Sequence, residues 1–120
     1  MEQNLPKRMS KGQLELLYLI GENVEPYEIY IRSAMTIERQ RVVLSRLIKR
    51  FGFNEIDDIK TYYRTHKSEI YSRLEQLNSI VIDPCSGPNW RNEYLAPTEK
   101  DLWDAAEILR RLDEAGGRDL

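Results

Sequence analysis

The 120-residue sequence is poor in the parts from which most reactive sites are built. It has one cysteine, Cys85, and one histidine, His66. A single thiol excludes an intramolecular disulfide. One Cys with one His cannot assemble a zinc site of the usual kind. A strong excess of one charge is missing as well: 18 basic residues stand against 20 acidic ones, for a net charge of −2. No long hydrophobic run occurs. The longest, Leu16 to Ile20, falls far short of the roughly 20 residues a membrane span needs. The opening stretch MEQNLPKRMS lacks the apolar core of a secretory signal, so a cytoplasmic chain without membrane contact is expected. No Ser/His/Asp order, phosphate-binding loop, dinucleotide fingerprint or metal cluster is present. The Asp57-Asp58 pair suits the start of a helix. These absences argue against an enzyme and call for no cofactor.

What is present describes one globular domain: 41% hydrophobic and 32% charged residues in a length typical of a single unit. The charge is unevenly spread. Residues 1–31 carry three basic and five acidic side chains, residues 32–73 ten and five, and residues 74–120 five and ten. A basic centre can steer towards phosphate even in a weakly acidic protein, because the local field outweighs the total.

Residues 1–9 read as a loose, flexible polar arm carrying Lys7 and Arg8. Ser10 and Gln13 have capping-box spacing ahead of an apolar helix that Gly21 would stop. Pro26 to Ile31 fits a short helix or a strand, and Pro at a first helical turn favours the helix. Thr36 opens a helix to Phe51, with Gly52 as its stop, an apolar stripe, and Arg39, Arg41, Arg46, Lys49 and Arg50 around it. Those cations form either a solvated face or phosphate contacts. Ile56, Ile59, Tyr63, Ile70, Leu74 and Leu77 imply two helices, 56–63 and 66–78, with a turn near Arg64-Thr65. Ile80-Val81-Ile82 reads as a strand, Pro84 to Asn89 as a loop, and Trp90 to Leu95 as the return strand. Thr98 caps a last helix, 98–116, which Gly116-Gly117 ends.

Helix, turn, helix and hairpin in this order is the pattern of a winged helix-turn-helix: mainly α with a small β-hairpin, over residues 10–97. The residues resemble the phenolic-acid-decarboxylase regulator (PadR) family, with the MarR type second. Gly12 to Ile20 looks like the family's first helix and Pro26-Tyr27-Glu28-Ile29 like its second. Ser68 to Leu77 is similar to its recognition helix, and Tyr94 to Lys100 to its second wing strand and the opening of the next helix. Two departures stand out. The helix 36–51 lengthens the gap before the recognition helix; the MarR type would instead use 36–51 and 56–63 as the two helices before recognition. Asn78-Ser79 and Asp101 replace two family glycines.

The resemblance implies a dimeric regulator of transcription that binds double-stranded DNA, with helix 66–78 in the major groove and the wing, 80–95, on the flanking groove. Arg64 and Lys67 would then meet phosphates; Thr65, Ser68, Tyr71 and Ser72 would line the face towards base edges. Trp90, Arg91 and Asn92 would act from the wing. Leu102, Trp103, Ala106, Leu109 and Leu112 would form the dimer surface. A small-molecule effector fits such a protein, but no residue names one. Each residue has a plainer alternative. Tyr71 and Trp90 could be packing residues, Trp103 a core residue, His66 a turn decoration rather than a pH sensor, and Cys85 a spectator rather than a redox switch. The helix 98–116 could pack on its own core. Two other functions remain open: a plasmid or viral partition or replication protein loading on DNA repeats, and a winged helix used only for protein contacts. Glu69 and Glu75 on the expected recognition helix keep the last alive.

Overall fold

The computed structural model describes residues 5–82 and 97–114, and over them the chain forms five helices. They are α1 (Lys11–Gly21), α2 (Pro26–Ser33), α3 (Ile37–Phe51), α4 (Ile56–Gln76) and α5 (Glu99–Glu114). Their packing order is α4, α1, α3, α5, with α2 seated beside α1 and α3. α1 lies in the middle. Its Leu14, Leu16, Leu17, Leu19 and Ile20 are all buried, which is why it is apolar nearly all round.

Local chemistry sets most of the boundaries. The Ser10 hydroxyl accepts the Gln13 N–H at 3.1 Å and starts α1. Thr36 does the same for Arg39 at 3.1 Å and starts α3, which ends at Gly52 in the left-handed region (φ 73°). The α3 bounds follow the sequence expectation. Asp58 accepts from the N–H groups of Asn54 and Glu55 at 2.7 and 3.1 Å, so the Asp57-Asp58 pair serves the start of α4. Thr98 and Asp101 exchange reciprocal bonds of 3.0 and 3.2 Å at the start of α5.

Two expectations are corrected. The described residues contain no strand, so over them the fold is all-α and not the α+β winged helix. Ile80–Ile82 is a single 3-10 turn. Val81 is buried there, its N–H donates to the Ser79 hydroxyl at 3.3 Å, and its carbonyl accepts from Arg32 at 2.8 Å. Three apolar residues in a row read as a strand. Here side chains, not a neighbouring strand, satisfy the backbone. The expected return strand, 90–95, lies outside the described residues, as does Cys85.

The second correction is the turn expected near Arg64-Thr65. α4 runs through it as one helix with a kink at His66 (φ −113°, ψ 20°). The seven-residue step from Tyr63 to Ile70 is two helical turns, so one helix serves it as well as two. No Gly or Pro interrupts the segment. The kink has local causes: Thr65 Oγ1 donates back to the Thr61 carbonyl at 3.1 Å, and His66 Nδ1 lies 3.0 Å from the Tyr62 carbonyl.

Candidate nucleic-acid interface

α2 and α3 form a tight helix–turn–helix. α2 begins with Pro26 in its first turn and ends where Ala34 adopts a left-handed conformation (φ 62°). The Ser33 hydroxyl donates to the Ile29 carbonyl at 2.7 Å and accepts the Met35 N–H at 3.1 Å. Met35 is buried in the turn, and Thr36 caps α3. Gln40 locks the pair. It is fully buried, at 0% exposure, and its amide donates to the Pro26 carbonyl at 3.0 Å and the Met35 carbonyl at 2.9 Å. One side chain thus ties the start of α2, the turn and the first turns of α3 together.

The outer surface of α3 is basic. Val43, Leu44, Leu47 and Ile48 face the core, and α5 covers a second side with Leu102, Trp103 and Ala106. Lys49 joins α5 through Asp113 at 2.9 Å, beside a shallow groove that Val42 and Leu109 line. Arg39, Arg46 and Arg50 remain on one stripe, because steps of seven and four residues return to the same side of a helix. Arg39 and Arg46 are exposed, and their side chains have no hydrogen-bond or ion-pair partner among the described residues. Arg50 donates to the Gln13 side chain at 3.0 Å and to the Arg8 carbonyl. Gly12 packs beside Val43, so the start of α1 borders the stripe. Glu38 is drawn aside by Arg41, 3.6 Å away.

The residues expected to read DNA lie elsewhere. Arg64, Thr65, Lys67, Ser68, Tyr71 and Ser72 are all exposed on the outer face of α4, on both sides of the kink. Arg64 donates to Thr61 Oγ1 at 3.2 Å. Lys67 lies 3.6 Å from Glu22 and over the Tyr63 ring. Tyr71 meets Tyr18 edge to face at 6.3 Å. Glu75 is exposed on the same face, whereas Glu69 is held by Arg73 at 2.8 Å. Trp90, Arg91 and Asn92 lie outside the described residues. Of the expected dimer residues, Leu102, Trp103 and Ala106 are buried within the protomer; Leu109 and Leu112 are 36% and 57% exposed. His66 stacks on Tyr62, with ring centres 4.2 Å apart.

Behind this face the Tyr63 hydroxyl donates to Glu22. Burial, then that bond and the Glu22 charge, push the Tyr63 phenol far above its ordinary pKa. Burial raises Tyr18 and Tyr62 as well. These phenols stay protonated and structural at neutral pH. Among the described residues no three His, Cys, Asp or Glu side chains gather as a metal site, and no helix is long and apolar enough to cross a membrane.

Sequence reasoning missed Gln40 and the pairing of α2 with α3. The signal for Gln40 was its position: it interrupts the apolar stripe between Ile37 and Leu44, where a polar residue must be satisfied inside. No family model matches the chain, and no characterised protein or solved structure matches it either.

Proposed function

We propose that the chain binds double-stranded DNA through the α2–turn–α3 pair, with α3 on the major groove. The observation that carries this reading is the exposed Arg39–Arg46 stripe, which has no carboxylate partner among the described residues, on the second helix of a locked helix–turn–helix. An arginine left unpaired in a chain with 20 acidic residues is available to phosphate or to the acceptor edge of guanine. Gln40 fixes the angle at which α3 is presented, so little ordering is needed on binding.

The outer face of α4 is the second reading. Arg64, Lys67, Ser68, Tyr71 and Ser72 share it, as the resemblance to a recognition helix implies. Glu22 and Glu75 weaken its field, so α3 is preferred. The role of a regulator of transcription rests on the sequence resemblance alone, and that role would put the chain in the cytoplasm. A two-fold dimer would use the exposed Ile108, Leu109 and Leu112 at the end of α5.

The test is anisotropy with a labelled random duplex over a salt series. Arg39→Gln/Arg46→Gln is expected to flatten the log–log salt slope by about two, while Arg64→Gln/Lys67→Gln leaves it unchanged. The reverse pattern moves the site to α4. Absence of binding at low salt refutes the DNA reading and favours protein contacts.

A further inference from the structure

Two arginines of the basic region, the exposed Arg50 and the half-buried Arg73, donate to backbone carbonyls of the same short segment. Arg73, on α4, donates to the carbonyls of Leu5 and Pro6, and is itself fixed by Glu69 at 2.8 Å. Glu69 also accepts the Leu5 N–H at 3.4 Å. Arg50, on α3, donates to the Arg8 carbonyl. Leu5 is buried in the core between these attachments. The expected polar arm is therefore tethered in its described part: residues 5–8 cross from α4 to the C-terminal end of α3, where Ser10 starts α1. The tethers are all to backbone atoms or to the buried Leu5. The side chains of Lys7, Arg8 and Lys11 are left exposed and unpaired among the described residues.

We infer that this strap, together with the first residue of α1, is a second DNA-contacting element, in which Lys7, Arg8 and Lys11 neutralise backbone phosphates beside the segment that α3 occupies. The inference rests on the DNA reading of α3 and extends its footprint. Three observations meet in it. The strap ends at Arg50, on the same helical stripe as Arg39 and Arg46. Its cations have no carboxylate partner among the described residues, unlike Lys67, Lys49 and Lys60, which are all paired. Its backbone is held in advance, so the entropy of ordering a loose arm is already met in the free protein. Phosphates carry no base identity, so the strap adds affinity on every sequence and no specificity. Arg73 and Leu5 are positioning residues: they act on DNA only through the placement of Lys7 and Arg8.

The full chain tests this. Lys7→Gln/Arg8→Gln is expected to weaken binding about tenfold on any duplex and to flatten the salt slope by about two. Arg73→Met and Leu5→Ala are each expected to weaken binding by the parent chain. Neither should weaken it further in the Lys7→Gln/Arg8→Gln background, since the side chains they position are gone. Leu5→Ala removes no charge, so a loss there cannot come from the overall field. Urea midpoints confirm that each variant is folded. If Lys7→Gln/Arg8→Gln binds like the parent while Arg39→Gln/Arg46→Gln is weakened, the strap is not a contact and α3 stands alone. If neither pair of substitutions changes binding, the α3 reading has failed and the strap falls with it. Additive losses from Arg73→Met in both backgrounds overturn the positioning role.

Discussion

Replacing Gln40 should separate the stability of the helix–turn–helix from its chemistry. The Gln40 amide makes two bonds, 3.0 and 2.9 Å long, to the carbonyls of Pro26 and Met35, and no water reaches it. Gln40→Met keeps the volume and removes the donors. Pro26 is the first residue of α2, so its carbonyl keeps a helical partner. Met35 sits in the turn and its carbonyl is left without that donor inside the protein. Losing both bonds and leaving that carbonyl unsatisfied costs about 2–3 kcal/mol, and removing the Gln40 amide oxygen, itself buried without a hydrogen-bond partner among the described residues, returns part of it, so a loss of about 2 kcal/mol is expected. Gln40→Ala adds a cavity, for a total of about 3–4 kcal/mol. With a urea m-value of about 1.5 kcal/mol/M, the midpoint would fall by about 1.3 M for Met and about 2.3 M for Ala. Urea unfolding followed by circular dichroism reads both. A Gln40→Met midpoint within about 0.3 M of the parent would refute the claim that this amide locks the turn. It would also remove the reason for treating α3 as rigidly presented.

Three further outcomes follow from named contacts. At Gly21 an added Cβ would stand 2.3 Å from Tyr63 Cγ and Cδ2, so Gly21→Ala must push α1 and α4 apart; a loss of about 3 kcal/mol by urea unfolding is expected. Ala34→Gly, at φ 62°, should stabilise by about 1 kcal/mol, since only glycine takes that conformation without strain; no gain on thermal melting would contradict it. Tyr63 predicts a pH dependence. Its folded pKa lies above the unfolded value of about 10, so below that pH both states hold the proton and stability is flat. Above it the unfolded chain releases the proton and the folded chain does not, so stability falls as pH rises; Tyr63→Phe should make that fall shallower in urea titrations between about pH 9 and 11.

Strong local signals were legible in the sequence: Ser10, Thr36 and Gly52 mark the boundaries of α1 and α3 because capping and left-handed stops act over a few residues. The apolar periodicity of α1 and α3 was equally plain. Tertiary choices were not. Tyr63 and Ile70, two turns apart, serve either a continuous helix or a shared face across a turn, and the Thr65 and His66 side-chain bonds made it a kink. Ile80-Val81-Ile82 has strand propensity, but Ser79 and Arg32 satisfy Val81 from outside any sheet. The basic centre was visible as a charge asymmetry. Which of its cations are free was not, because pairing depends on distant acids: Asp113 reaches Lys49 and Glu99 reaches Lys60, whereas nothing among the described residues reaches Arg46. Trp103 illustrates the same limit: one amphipathic stripe on α5 fitted a dimer surface or an internal face, and packing against α3 takes Leu102, Trp103 and Ala106 inside.

The most direct test of the central claim is to titrate an isotope-labelled sample with a short random duplex at low salt and map the amide resonances that shift. Binding by α3 and the strap predicts shifts concentrated at residues 36–50 and 5–11, with residues 64–76 of α4 little changed. Shifts confined to 64–76, or no shifts at all with the duplex in excess, would contradict it.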